Sequence, residues 1–409
     1  MQASLIVTGN EILLGGAVDT NGAFIGRRLH QSGIEPVLKI SVPDTEKEIA
    51  GAIGKAFRKT SLILVTGGLG PTRDDVTREA VAGFTGKRLV FRRELLKNIK
   101  AFFNKRGMEM PPISSRQAFL PAGAAAVRNR FGTAPGFILR HKGRIIVVLP
   151  GPPREMKPML ESLVPFFRSI AGRKYAYRVL KTYGIGESAI EETLADIKNS
   201  RDLEIGFQAH PGQVDIKITA RAANAGLADK KVDEVKRLIS GRLGRNIMGS
   251  GDISFEGIAG SLLKRKRKTL AVAESCTGGL VSNLITNVPG SSDYFQGGVV
   301  SYSNEMKMKI LGVPQPILKK FGAVSGQAAG KMAEGIRRVA GTDYGLGITG
   351  IAGPSGATRN KPAGLVYIAL ASAGRLNAEK HNFYGERAEV KERTARAALL
   401  MLINHLKNL

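Results

Sequence analysis

Short apolar runs, each ending in a turn and followed by an amphipathic helix, recur at both ends of this chain. That alternation leaves few folds open. Near the N-terminus Leu5–Thr8, Val37–Val42, Leu62–Thr66 and Arg144–Leu149 read as buried strands. Helices are expected over Thr20–Ser32, Thr45–Arg58 and Thr72–Phe84, and from Arg154 to about Phe167 after Pro150-Gly151-Pro152-Pro153. Apolar strands alternating with helices indicate a parallel sheet covered on both faces. Ligands of such sheets bind beyond the carboxyl ends of the strands. The pattern returns after a helix over Ile253–Leu263, with strands near 269–273, 296–302, 343–349, 365–372 and 379–384. Helices near 276–287, 304–311, 325–340 and 388–407 lie between or after them.

The middle of the chain differs. Tyr177–Thr182 is strand-like and Glu187–Ile197 helix-like; Leu203–His210 and Val214–Ala220 flank Pro211-Gly212 as a hairpin, before a charged helix over Ala228–Leu243. Gly249-Ser250-Gly251 reads as a linker. The expected fold class is α/β: two three-layer α/β domains with mostly parallel sheets, over residues 1–170 and 251–409. A small α+β unit over 171–250 joins them. A length of 409 residues agrees with two to three domains.

Composition narrows the function classes. No apolar run approaches the ~20 residues of a membrane helix, and Met1–Thr8 reads as a first strand, not a signal peptide. No membrane association is expected. A single cysteine excludes a disulfide framework and multi-cysteine zinc sites, and points to a reducing cytoplasm. The net charge of +27 attracts anions of every kind, from phosphorylated metabolites to nucleic acid and anionic lipid. The basic block Lys264–Lys268 reads more readily as a helix C-terminus complementing its dipole than as a nucleic-acid patch.

Two turns in the first domain carry chemistry. Thr66-Gly67-Gly68-Leu69-Gly70-Pro71-Thr72 joins a strand to a helix, and its glycines let an anion approach the backbone and the free N–H groups at a helix start. Asp74 and Asp75 follow at once. They would repel a phosphate unless a divalent cation lay between, and oxygen ligands of this kind suit magnesium or manganese; alternatively they decorate a first helical turn, where negative charge is favourable. Glu11 and Asp19-Thr20-Asn21 follow the first strand, as site members or as helix caps. Asn129, Gly132–Gly136 and Leu149–Pro153 add turns near strand ends.

Three segments carry the chemistry of the last domain. Ala273-Glu274-Ser275-Cys276-Thr277-Gly278-Gly279 places a hydroxyl and a thiol where a strand hands over to a helix, and unpaired N–H groups there can hold an oxyanion. Gly297–Tyr302 runs into a helix carrying Lys307. Gly347-Ile348-Thr349-Gly350-Ile351-Ala352-Gly353-Pro354 opens into a glycine loop suited to phosphate or ribose. Serine needs a base to act as nucleophile. His381 and His405 lie away from these turns, so a Ser–His–Asp arrangement is not expected, whereas a desolvated lysine can serve. Ser275 with Tyr302 and Lys307 would form a Ser–Lys amidohydrolase site, with the N–H groups of Cys276 and Thr277 as oxyanion donors. Cys276 is the rival nucleophile, although a lone buried cysteine usually acts as a small hydrophobe. Arg387 is a candidate phosphate clamp.

Taken together these segments, with Gly385-Glu386-Arg387, resemble the CinA family across essentially the whole chain. For the last domain the resemblance implies a nicotinamide-nucleotide amidase that converts nicotinamide mononucleotide to nicotinate mononucleotide and ammonia, needs no cofactor and serves pyridine-nucleotide recycling. Ser275, Tyr302 and Lys307 would be catalytic. Cys276, Thr277, Gly278, Gly279, Thr349, Gly350, Ala352, Gly353 and Arg387 would bind substrate. The first domain resembles the family's molybdopterin-binding-like domain, which implies metal-dependent ADP-ribose pyrophosphatase activity. There Gly67, Gly68, Gly70 and Thr72 would bind substrate, and Asp74, Asp75 and Glu11 a divalent metal (magnesium, manganese or cobalt), with potassium as a candidate companion. The middle segment resembles the family's KH-like connector, but Gly241-Arg242-Leu243-Gly244 falls at a helix end, so RNA binding is not expected there. The resemblance also implies a homodimer. The chain departs from the family pattern at Ser355, where glycine is usual. Two competing readings remain open: a nucleic-acid-associated accessory protein using the basic surface, and a molybdopterin-binding protein without hydrolase activity.

Overall fold

The computed structural model describes residues 1–409 except 173, 198, 252, 253 and 409. By internal contacts it divides into two compact units, Met1–Tyr177 with Ser200–Leu203 and Thr219–Asp233, and Arg178–Asn199 with Glu204–Ile218 and Glu234–Leu409. Among the described residues no helix is long and apolar enough to cross a membrane.

The first part runs β1 (Gln2–Thr8), α1 (Asn10–Leu13), α2 (Thr20–Gln31), β2 (Glu35–Val42), α3 (Glu46–Lys59), β3 (Leu62–Thr66), α4 (Thr77–Thr85), β4 (Leu89–Phe91), α5 (Arg93–Asn104), β5 (Phe119–Pro121), β6 (Ala125–Val127), β7 (Gly136–His141), β8 (Arg144–Leu149) and α6 (Pro153–Ile170). Its main sheet has the order β2-β1-β3-β8-β7-β6. β1, β2, β3 and β8 are parallel, and β7 and β6 add an antiparallel edge. Register sets Val7 beside Thr66 and Thr66 beside Leu149, so the turns after β1, β3 and β8 open on one edge. Helix α4 begins five residues later than the apolar pattern suggests. Asp75 folds its carboxylate back onto Gly70 N–H and Thr72 N–H, which holds the intervening residues as a closed turn.

The middle holds β9 (Lys174–Tyr183), α7 (Glu187–Thr193), β10 (Leu203–His210), β11 (Gln213–Ala222), α8 (Ala225–Leu243) and β12 (Ile247–Ser250), with sheet order β10-β11-β9-β12. The hairpin about Pro211-Gly212 forms, with Gly212 at φ 76°. The expected linker does not: Gly249 and Ser250 pair antiparallel with Lys181 and Leu180, so glycine here sits in an edge strand.

The last part contains α9 (Phe255–Lys266), β13 (Leu270–Glu274), α10 (Leu280–Thr286), β14 (Phe295–Val300), α11 (Asn304–Leu311), α12 (Gln315–Phe321), α13 (Gly326–Ala340), β15 (Tyr344–Gly350), β16 (Leu365–Ser372), β17 (Arg375–Asn382) and α14 (Arg387–Lys407). The expected helix start at Ile253 lies outside the described residues; α9 is capped by Ser254, whose hydroxyl accepts from Gly257 N–H. The basic block at its end is paired, Lys264 with Asp293 at 2.6 Å and Lys268 with Asp343 at 2.8 Å. The sheet order is β14-β13-β15-β16-β17, parallel across β14, β13 and β15 and antiparallel beyond.

Strand β13 shows why two layers of helix fit this sheet. Leu270 and Val272 enter a core shared with α9 and α14, whereas Ala271 and Ala273 meet α11 and α13. Small side chains on the second face, with Gly347 in β15, let α13 lie close: a Cβ at Gly347 would come within 2.6 Å of Ala333 N. Each fully buried Leu, Ile or Val contributes roughly 1.5–3 kcal/mol, so the first face supplies cohesion and the second proximity.

Candidate active site

The site of the last domain grows from strand register. Glu274 lies beside Val300 on one side and Ile348 on the other. Pairing continues one residue further, as Ser275 N–H donates to Ile348 O at 3.0 Å and Ser301 N–H to Glu274 O at 2.8 Å. The residues leaving β13, β14 and β15 therefore meet on one edge.

The turn after β13 is built around Glu274, a residue to which sequence reasoning gave no role. Its side chain is fully buried, and its carboxylate accepts from the N–H groups of Gly279, Val281 and Ser282 and from the Ser282 hydroxyl, at 2.7–3.1 Å. Negative charge at a helix N-terminus is favourable. Gly278 and Gly279 take positive φ (62° and 92°), which lets the chain loop over that carboxylate. Helix α10 accordingly starts at Leu280 instead of Cys276. The first helical amides are thus spent on Glu274, and Gly279 N–H is not free for phosphate. The amides of Cys276 and Thr277 have no oxygen acceptor among the described residues.

Lys307, on the first turn of α11, is 1% exposed. Its Nζ lies 3.1 Å from Ser275 Oγ, 2.8 Å from Ser301 O and 3.3 Å from Tyr302 O. Burial lowers its pKa below the ordinary 10.5 of lysine. A neutral amine has two N–H groups and one lone pair. In that form, with both N–H groups given to the two carbonyls, the lone pair would face the serine hydroxyl; as an ammonium the lysine donates to it instead. Burial pushes the Cys276 thiol up to about 12, far from the thiolate a nucleophile needs.

Ser275, Cys276, Tyr302, Lys307 and Arg387 line one cavity of about 390 Å³, none of whose lining residues is acidic. Tyr302, expected to be catalytic with Ser275 and Lys307, is 65% exposed; its phenol accepts from Arg387 Nη2 at 3.2 Å, while its main-chain carbonyl holds the lysine. Thr349, Gly350 and Ala352 line the cavity, and Thr349 donates its hydroxyl to Ala323 O at 2.8 Å. Thr277, Gly278, Gly279 and Gly353 are not on its wall; Gly353 lies under Arg387, where a Cβ would come within 3.2 Å of Nη1. Lys361, which sequence reasoning missed, also lines the cavity and donates to Phe321 O and Val324 O at 2.9 and 2.8 Å. As an ammonium it keeps one further N–H. The only sequence signal for it was a lysine at the far end of the glycine loop.

In the first domain the Gly67–Gly70 carbonyls are all turned inward. Thr77 Oγ1 holds Gly67 O, Thr77 N–H holds Gly68 O, and Arg78 holds Leu69 O and Gly70 O at 2.6 and 3.0 Å. Arg78 is 1% exposed, and pattern reading passed over it. The amides of Gly68 and Leu69 have no acceptor among the described residues.

The carboxylates do not assemble as expected. Asp75 is a turn clasp: one oxygen accepts from Gly70 N–H at 2.8 Å, the other from Thr72 N–H at 2.9 Å and the Thr72 hydroxyl. Thr72 thereby serves the turn itself. Asp74 is exposed, with its pKa lowered chiefly by the Thr72 hydroxyl. Glu11 is exposed; it and Asp74 add to the burial that raises Asp44. Among the described residues no three His, Cys, Asp or Glu side chains converge to hold a metal ion. The set Glu11, Asp74 and Asp75 therefore does not fit a ready-made metal cage.

Comparison with known proteins agrees with this architecture. Residues 4–169 match the family described as "Probable molybdopterin binding domain", 177–249 the "Damage-inducible protein CinA KH domain" and 253–406 the "CinA C-terminal domain". A "Putative competence-damage inducible protein" of Moorella thermoacetica is 44% identical over 410 residues, covering 100% of this chain and 99% of that protein. One of the same description from Caldicellulosiruptor saccharolyticus is 42% identical over 404 residues, covering 98% of each. A crystal structure described as the protein CinA, of unknown function, from Thermoplasma acidophilum is 35% identical, with a TM-score of 0.39; it covers 41% of this chain and 99% of that one. Identity of this order along the full length, with all three family domains in sequence, makes the chain a member of the CinA family.

Proposed function

We propose that the last domain hydrolyses the carboxamide of nicotinamide mononucleotide to nicotinate mononucleotide and ammonia. The observation that carries this reading is the 3.1 Å contact between Ser275 Oγ and the buried Lys307 Nζ, in a cavity whose other charged side chains, Lys361 and Arg387, are cations. Ser275 Oγ attacks the amide carbon as Lys307 takes its proton. The Cys276 and Thr277 amides face the developing oxyanion. Lys307 then returns the proton to the leaving nitrogen, ammonia departs, and water hydrolyses the acyl-serine by the same route. Arg387 and Lys361 supply charge for the phosphate. Replacing Ser275 by Ala should abolish ammonia release with the fold intact; turnover that survives there but is lost in Cys276→Ala would transfer the nucleophile to the thiol.

A second reading concerns the first domain, where the two free amides of the Gly67–Gly70 turn favour a phosphorylated ligand. Hydrolysis of ADP-ribose to AMP and ribose 5-phosphate suits such a turn. Asp75 is committed to the turn, so this reading does not call on it as a metal ligand. Product analysis with and without a chelator tests both the reaction and the metal.

A further inference from the structure

We propose that the last domain carries a second ligand site, built for a small organic cation: a primary ammonium on an apolar body. The cavity, of about 300 Å³, lies between the flank of α14 and the edge strand β17, with Tyr183 from the end of β9 on its wall; all of these belong to one compact unit. Its size is at the lower end of the ~300–1,000 Å³ range of small-molecule sites. It shares no residue with the cavity of Ser275 and Lys307, and it requires neither reaction proposed above.

Strand register creates it. Asn377, Glu379 and His381 alternate along β17 and pair with Leu370, Ile368 and Val366 of β16. Those three apolar side chains enter the core shared with α14. Cross-strand partners face the same side of a sheet, so β17 turns its three polar groups toward the helix. Helix α14 packs over β16, and the cleft is left along its flank. Leu370, Leu400 and Met401 give that cleft an apolar wall.

Charge selects a cation. In a chain of net charge +27, no lysine or arginine lines this cavity, and Glu379 is its one carboxylate. Among the described residues Glu379 has no lysine or arginine partner. Its oxygens meet neighbours on the same strand, Asn377 Nδ2 at 3.4 Å and His381 Nε2 at 3.3 Å. The contact from His381 holds the Glu379 carboxyl below its ordinary range, so it stays ionised. Burial, with Arg375 nearby, lowers His405. Arg375 and Arg393 act on this region from outside the wall. The cavity therefore offers a carboxylate with no fixed positive charge beside it.

The wall is fixed by ring packing. His381 stacks on Phe383 at 5.3 Å and 7°, His405 meets Tyr344 edge-on at 5.3 Å, and Tyr183 meets Phe255 edge-on at 6.2 Å. Burial pushes the Tyr183 phenol up to about 12, so it remains a neutral hydroxyl able to accept a hydrogen bond. Asn404 and Asn408, both exposed, bring carboxamide oxygens. An ammonium carries three N–H donors. Glu379, Tyr183 and a carboxamide supply acceptors for them, and an aromatic wall attracts a desolvated cation.

The test is titration of the full-length protein at pH 7.5 with three probes of one shape, followed by ligand-observed NMR: 2-phenylethylamine, 2-phenylethanol and 3-phenylpropanoate. The amine should bind saturably, at least tenfold tighter than the alcohol, and the carboxylate should not bind. Glu379→Gln should weaken the amine at least tenfold, whereas Glu392→Gln, which removes the same charge from α14 outside the cavity, should change it less than twofold. Asn404→Trp, at an exposed position, fills the cleft and should abolish binding. Melting curves verify that each variant is folded. The proposal is overturned by absence of saturable amine binding, by equal affinity for amine and alcohol, by equal losses in the two glutamate variants, or by full binding in a folded Asn404→Trp protein.

Discussion

Replacing Lys307 by Met removes the amine and keeps most of the side-chain volume. Loss of a positioned general base costs roughly 10²–10⁴-fold in rate, or about 3–5 kcal/mol of barrier at 1.36 kcal/mol per decade. Stability should fall less. Ser301 O is buried and loses its donor, at a cost of roughly 1–3 kcal/mol. Tyr302 O is only partly buried, so water can replace the amine there. Ammonia release from nicotinamide mononucleotide, read beside a denaturant melt, separates the two effects. The pH dependence adds a sign. Burial depresses the lysine, so the base form is already present below 10.5, and wild-type kcat/KM should climb with pH and level off below that value. Above its folded pKa and below 10.5 the unfolded chain holds a proton that the native one does not. Wild-type stability should therefore rise with pH across that interval and stay flat below it, and the Met variant should lack this slope. A folded Lys307→Met variant that keeps activity within threefold of wild type, or a wild-type profile with its midpoint at or above 10.5, would refute the lysine-base mechanism.

Other perturbations bear on the same framework. Tyr302→Phe removes only the contact to Arg387 and should cost about 2–10-fold, mainly in KM, as expected for one hydrogen bond of ~0.5–1.5 kcal/mol; a loss as large as that of Ser275→Ala would give the phenol a direct part in the chemistry. Cys276→Ala should retain turnover, and the native thiol, raised to about 12, should resist alkylation at pH 8. Glu274→Gln places an amide among four donors and should destabilise the last domain by roughly 1–3 kcal/mol in denaturant melts while lowering turnover. Gly364→Ala, at φ 87° and facing the Phe383 main-chain oxygen, should be destabilising by about 1–3 kcal/mol.

Apolar periodicity revealed β3, β8 and β16 residue by residue, because each is buried along nearly its whole length. It missed α5, which is amphipathic but lies in a charged stretch preceded only by the three-residue strand β4, and it misplaced β17, whose exposed edge carries almost no apolar signal. The starts of α4 and α10 were misread for a single reason. In both, an acidic side chain reaches across a glycine turn to bind backbone amides, and such a contact has no periodicity to detect. The pairing of Ser275 with Lys307 was legible because parallel strands bring successive crossover turns to one edge. The phenol's orientation was not: strand register fixes where Tyr302 emerges, while its rotamer depends on Arg387, some eighty residues further along.

The two oxygens that orient the Lys307 amine belong to peptide groups, not to side chains. Substitutions at positions 301 and 302 can therefore change what surrounds the cleft without retuning the amine, since every amino acid brings the same carbonyl. Attempts to shift the working pH of such a centre by exchanging neighbours should meet a wall. Progress would come from admitting water to the amine, or from bending the strand exit that carries those two carbonyls.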